Sequence, residues 1–184
     1  MEGTGTKALV HAILRHAEDY PWRMQHIGLL GLRLDDHREL RLHVWDPTYS
    51  IVEDDPPIHD HPFDFTSMII AGEMINTRYE IDPTGAEYTR FRYTPSDEQG
   101  RTADTVRLSG TATTYTEGDR YEQSANELHD SRQLQGTVSI IRCTFREVQQ
   151  LTVCRKGREW VSGQSRSPTS EEVKSITGKA LQAF

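Results

Sequence analysis

The stretch Pro57-Ile58-His59-Asp60-His61-Pro62 is the part of this chain best suited to chemistry. On an extended backbone residues i and i+2 point to the same face, so His59 and His61 present two imidazole nitrogens side by side. Two such ligands hold a metal ion weakly, and a third has to come from elsewhere. The candidate is His129, which ends the run Gly118-Asp-Arg-Tyr-Glu-Gln-Ser-Ala-Asn126-Glu-Leu-His129, where a glycine turn feeds a strand and a second turn follows. Neutral imidazole suits iron, nickel, copper and zinc. His11 and His16 lie five residues apart on a helix-like segment, off the i, i+4 spacing that a helical metal pair needs. His43 reads as a strand residue of unassigned facing. Asp64 and Glu73 are spare oxygen ligands, although strand alternation turns Asp64 away from the histidines unless a bulge intervenes.

The elements that must position these side chains are mostly strands. Residues 6–19 place Leu9, Ile13, His16 and Ala17 on one stripe, which predicts a short amphipathic helix ended at Pro21. From residue 26 the pattern changes to short runs of leucine, β-branched and aromatic residues. IGLLGLRL and ELRLHVW, separated by Asp35-Asp36-His37-Arg38, read as a hairpin. Further strands are expected at 63–71, 74–81, 88–94, 105–109, 112–116 and 137–146. Turns are expected at Asp82-Pro83-Thr84-Gly85, Ser96-Asp97, Ser109-Gly110 and Glu117-Gly118-Asp119, with a polar loop over 95–104. So many short strands without helical patterns between them point to an antiparallel sandwich or closed barrel. Thr169, three residues before Glu172, forms a capping-box pattern that opens a C-terminal helix over 170–182.

A length of 184 residues fits one domain, 1–184, with one core. The net charge of −7 argues against a nucleic-acid surface, which needs clustered Lys and Arg. Two cysteines, Cys143 and Cys154, are too few for a disulfide framework, and no charged-then-apolar leader or membrane-length apolar run is present. The expectation is a soluble, cytoplasmic protein.

The histidine spacing resembles the two motifs of the cupin superfamily. The first, Gly-x5-His-x-His-x(3 or 4)-Glu-x6-Gly, is matched by His59, His61 and Gly72, with Phe65 where the Glu ligand stands and no Gly six residues before His59. The second, Gly-x5-Pro-x-Gly-x2-His-x3-Asn, is matched by Gly118 and His129, with Ser124, Asn126 and Gln133 at the Pro, second Gly and Asn positions. Asn is a sensible stand-in for a turn glycine because it tolerates the left-handed conformation. The resemblance implies an all-β fold, a cupin-type antiparallel β-barrel (double-stranded β-helix, or jelly roll) over about 26–162, flanked by the two short helices. It also implies one divalent metal on His59, His61 and His129. Fe(2+) is the first expectation, with Ni, Zn, Mn or Cu as alternatives. Cupins are commonly dimers, and residues 147–168, with Leu151, Val153, Trp160 and Val161, are the segment that would serve a shared face.

Among three-histidine cupins, Ile58-His59-Asp60-His61 is similar to the corresponding string of the cysteine (thiol) dioxygenases. That resemblance puts Arg33 at the position that grips a substrate carboxylate, as suits a bidentate guanidinium. The family's late-strand Ser-x-His-x-Tyr is Ser139-Ile140-Ile141-Arg142-Cys143 here, and the crosslinking cysteine of some members is Thr66, so cysteine itself is not the expected substrate. The implied activity is a non-haem iron oxygenase that combines a small molecule with dioxygen, with no nucleic acid or membrane as partner. Phe65, Ile69, Ile141 and Trp45 would wall the pocket, and Tyr121 and Arg78 would supply polar contacts. A metal-dependent lyase or isomerase is the alternative enzyme, and a small-molecule-binding cupin without catalysis is the third reading.

Overall fold

Alternation along each strand, plain in Leu40-Arg41-Leu42-His43-Val44-Trp45, builds this molecule in layers. The structure is a computed structural model and describes residues 2–37, 39–50, 57–94, 97–147, 150–156 and 165–184. It opens with helix α1 (Glu2–Arg15) and a 3-10 turn (Ala17–Asp19). The strands are β1 (Arg23–Gln25), β2 (Ile27–Arg33), β3 (Leu40–Ser50), β4 (Ile58–His59), β5 (Phe63–Ala71) and β6 (Glu73–Thr94). They continue with β7 (Asp97–Thr116), β8 (Arg120–Gln123), β9 (His129–Gln133), β10 (Val138–Phe145) and β11 (Leu151–Arg155), before helix α2 (Ser170–Leu181).

The strands form two antiparallel sheets. One runs β1-β2-β3-β10-β5-β8, so that the late strand β10 is inserted between two early ones. The other runs β11-β4-β9-β6-β7, with β11 also paired to β6. Strand β6 is long enough to serve two neighbours: Met74–Arg78 pair with β9 and Thr89–Tyr93 with β11. Short β4 joins the same two strands, because His59 stands opposite His129 on one side and Val153 on the other. The molecule is therefore mostly β, with two sheets and two α-helices among the described residues.

The first sheet separates two interiors. Its outer face presents Leu30, Leu32, Leu42, Val44, Ile70 and Val138 to Val10, Ile13 and Leu14 of α1 and to Val173, Ile176 and Ala180 of α2. Its inner face presents Leu29, Trp45, Phe63, Phe65, Ile69 and Ile141 to the second sheet. A third cluster, Ile58, Val106, Leu108 and Cys154, lies on the other side of the second sheet. The capping box of α2 is complete: Glu172 N–H donates to Thr169 Oγ1 at 3.2 Å, and Thr169 N–H donates to Glu172 Oε2 at 2.8 Å.

Several expected boundaries shift, for physical reasons. The N-terminal helix starts at Glu2 and stops at Arg15, and residues 17–19 tighten into the 3-10 turn. The turn expected at 82–85 is a bulge inside β6, where Ile81 and Ala86 both stand opposite Leu108. Asp82 Oδ1 accepts from the Thr84 backbone and hydroxyl at 2.8 Å each, and Gly85 folds so tightly that a Cβ there would lie 2.3 Å from the Leu108 carbonyl oxygen. Ser109-Gly110 is not a turn either, because β7 runs straight through it. Gly110 is required by the Tyr79 ring lying over it, 2.7 Å from where a Cβ would sit. Residues 97–104, expected in a polar loop, extend β7, and Asp104 there receives Arg90 at 2.6 Å and Arg92 at 3.2 Å. Cross-strand ion pairs and the ladder replace the apolar alternation that a sequence pattern reads. Leu151 and Val153 of the segment considered for a partner lie in this chain's own β11, while Trp160 and Val161 fall outside the described residues.

Candidate metal centre

His59 and His129 are cross-strand partners on β4 and β9, so their side chains leave the same face of the sheet, with ring centroids 4.8 Å apart. His61 follows two residues on and returns to that face, its centroid 4.7 Å from His59 and 5.1 Å from His129. One ring nitrogen from each lies within 4.8 Å of the others. The turn that delivers His129 is tied back to this pair: Asn126 N–H donates to the His61 carbonyl at 3.2 Å. Asn126 has φ 63°, the left-handed value expected of it, and Gly72 (φ 80°) and Gly118 (φ 90°) are left-handed too.

Hydrogen bonds fix which nitrogens face inward. His59 Nδ1–H donates to the Pro57 carbonyl at 2.9 Å, and His129 Nδ1–H donates to Asn76 Oδ1 at 2.8 Å. In both rings the Nε2 lone pair is left free to bind, the tautomer that a metal ligand needs. Asn76 is 1% exposed and is itself held. Its amide donates to Gln123 Oε1 at 3.3 Å, Ser131 Oγ donates to Asn76 Oδ1 at 3.2 Å, and Gln123 Nε2 donates to Glu127 Oε2 at 2.9 Å. His61 Nε2 lies 3.0 Å from His129 Nε2, so these two nitrogens converge on one point.

Burial is the first cause of the low basicity of all three rings. It lowers His59, and it puts His61 and His129 well below the ordinary histidine value; neighbouring cationic groups, Arg41 at His61 and Arg78 at His129, add to the effect. The three imidazoles are thus neutral at neutral pH. A neutral three-nitrogen donor set with two oriented lone pairs fits a borderline divalent ion.

The histidines line a cavity of about 370 Å³, at the small end of ligand pockets. Phe65, Ile141, Trp45 and Tyr121 line it as expected, whereas Ile69 is buried behind that lining. Phe65 stands beside the histidines, edge-on to His61 at 5.5 Å and tilted against His129 at 5.9 Å by centroid. The Tyr121 hydroxyl, pushed up to about 12 by burial, donates to Met74 Sδ at 3.1 Å.

Arg33 is exposed and outside the lining, at the end of β2 beyond Leu29 and Gly31. Its cross-strand partner Arg41 lines the cavity instead. Arg78, opposite His129, also lies outside the lining; its guanidinium donates to the Glu122 carbonyl and stands 3.8 Å from Glu127. Asp64 accepts from Ala125 N–H at 2.8 Å and from Arg146 Nε at 2.6 Å, so its carboxylate is already engaged, and neither it nor Glu73 lines the cavity.

Sequence reading missed His26, Arg41, His43, Asn76 and Gln123. Arg41 and His43 share the parity of Trp45, which would have placed all three once Trp45 was set inward. Asn76, the polar residue of Met74-Ile75-Asn76, shares Met74's parity in the same way. His43 is driven down to about 3 by burial and then by Arg41. Asp60 is raised to about 6 by burial, with Oδ1 accepting from Thr152 N–H at 2.8 Å.

No protein-family model matches the chain, and no curated protein matches it. No helix among the described residues is long and apolar enough to cross a membrane.

Proposed function

We propose that this chain is a cupin-type metalloenzyme, a non-haem iron oxygenase acting on a small molecule in the cavity between its sheets. The observation that carries the reading is the convergence of His59, His61 and His129, with two of the rings held by Pro57 and Asn76 so that Nε2 points inward. Among the described residues no carboxylate joins this cluster, so a bound iron(II) would be held by three neutral nitrogens, a donor type that suits it. A bound iron would supply a redox-active Lewis acid with positions open to substrate and dioxygen.

The chain's own residues do the rest. Phe63, Phe65, Leu29 and Ile141 make the wall beside the histidines apolar, which strengthens electrostatic interactions inside. Arg41 supplies a permanent positive charge to the same cavity and favours a substrate with an anionic group. Tyr121 keeps its proton throughout the physiological range and is a fixed donor. That hydroxyl also favours a second reading, a metal-dependent lyase or isomerase in which Tyr121 hands over a proton.

The test is metal content after iron loading, followed by oxygen uptake with small thiols, amino acids and diketones. Wild-type protein is expected to hold one iron per chain and His129→Ala almost none. Equal metal in both would sink the metal reading, while turnover in the strict absence of oxygen would replace the oxygenase by the lyase. The closed barrel and the dimer of the cupin resemblance belong to the same proposal.

A further inference from the structure

The wall facing the histidines carries polar atoms that the reading above leaves unused. Trp45 is 7% exposed and Ser139 is 0% exposed, yet Trp45 Nε1 and Ser139 Oγ have no hydrogen-bond partner. Both residues line the cavity. They belong to adjacent strands: Ser139 stands opposite His43, Trp45 lies two residues further along the same face of β3, and Trp45 N–H donates to the Thr137 carbonyl at 2.9 Å. Native interiors leave few such atoms unpaired, and the indole N–H can only donate.

We infer that Trp45 Nε1–H and the Ser139 hydroxyl form a second recognition point in this cavity, which takes a neutral oxygen acceptor of the substrate, such as an amide or ketone carbonyl. The inference rests on the cavity being the substrate site of the proposed metalloenzyme. The neutrality of the group follows from charge placement. Arg41 is four residues from Trp45 on β3, about 13 Å along the strand. Its guanidinium lies over the rings of Phe63 (4.9 Å) and Phe145 (5.8 Å). Phe145 is 48% exposed, so this cation sits at the rim. An anionic end of the ligand is therefore matched at the rim, whereas an anion beside Trp45 and Ser139 would be buried against uncharged donors, which is costly. The substrate class this defines has a metal-binding group at the histidines and an uncharged carbonyl-type oxygen at the opposite wall.

The experiment titrates ¹⁵N-labelled protein with N-acetylcysteamine, whose thiol suits a metal and whose amide carbonyl suits the inferred subsite, and with 1-pentanethiol, which lacks the carbonyl. Both the Zn(II)-loaded and metal-free forms are used. The Trp45 indole resonance is identified by its loss in Trp45→Phe. Binding of N-acetylcysteamine is expected to move that resonance downfield and to weaken about three- to tenfold in Trp45→Phe and in Ser139→Ala, the worth of one hydrogen bond. Affinity for 1-pentanethiol is expected to be the same in all three proteins. Equal affinity of N-acetylcysteamine for all three, an unmoved Trp45 resonance, or no binding by either form would overturn the inference. Zinc uptake is read separately by metal analysis, so loss of the metal reading shows as an unloaded wild type, with the indole shift still measurable in metal-free protein.

Discussion

The two faces of the first sheet differ in what they leave undone. The outer face, from Leu30 to Val138, is closed by α1 and α2 and is apolar throughout its cluster. The inner face, on the same strands, carries Arg41, His43, Trp45, Ser67 and Ser139 into the cavity, three of them with unpartnered polar atoms. A single alternating strand such as β3 thus supplies stability on one side and unspent hydrogen-bonding capacity on the other. Changes on the outer face should move stability and leave the metal site alone, and changes on the inner face should act on metal or ligand binding with only small effects on stability.

The largest effect is expected from Leu42→Ala, which removes a fully buried side chain from the outer face. It should cost about 2–5 kcal/mol in denaturant unfolding. The metal bound per folded chain should not change, and a matching loss of metal would break the comparison. Asn76→Ala leaves all three ligands in place but frees His129 Nδ1. Metal affinity measured by chelator competition should fall roughly 10- to 100-fold, the usual worth of a group that orients a ligand.

Acid should act next, in metal-free protein. His43, His59, His61 and His129 all have folded values below 6.5 because they are buried. Above pH 6.5 both folded and unfolded states hold these rings neutral, and no stability is lost. Below it the unfolded chain takes up protons that the folded chain refuses, so stability falls from pH 6.5 downward and continues to fall towards pH 3, where His43 titrates. Asp60, raised to about 6 against an ordinary 3.8, works in the opposite direction between those values, one group against these four and His26, which burial also lowers. A midpoint in urea that stayed flat from pH 7 to pH 5 would contradict the buried neutral rings. The smallest effect is a gain: Ser139→Ala removes an unpartnered buried hydroxyl, and the protein should become more stable by up to about 1 kcal/mol while losing affinity for a carbonyl-bearing ligand.

How much of this was legible beforehand depended on whether the signal was local. The i, i+2 relation of His59 and His61 holds wherever the backbone is extended, and the Asn126 turn is a property of Asn, so both could be read from short strings. The capping box at Thr169 was readable for the same reason. Arg33 was placed by resemblance to a family position, but the facing of a rim residue depends on where its strand ends, which no short string encodes. The first part of β7, residues 97–104, was obscured because it is polar on both faces and is held by backbone pairing to β6 and by Asp104 with Arg90 and Arg92. Gly85 and Gly110 looked like turns but answer to close approaches from Leu108 and Tyr79, residues distant in sequence.

The insertion of β10 between β3 and β5 also sets a schedule for synthesis. β5 ends at Ala71 and β10 begins at Val138, 67 residues later. At roughly 5–20 residues per second, the facing edges of β3 and β5 emerge about 3–13 s before the strand that joins them. Through that interval β3 has β2 beside it, but Leu42, Val44, Ile69 and Ile70 lack the strand that joins the two halves of the sheet. The nascent chain is therefore most exposed to aggregation, and most in need of a chaperone, while the segment carrying His129 is still being made.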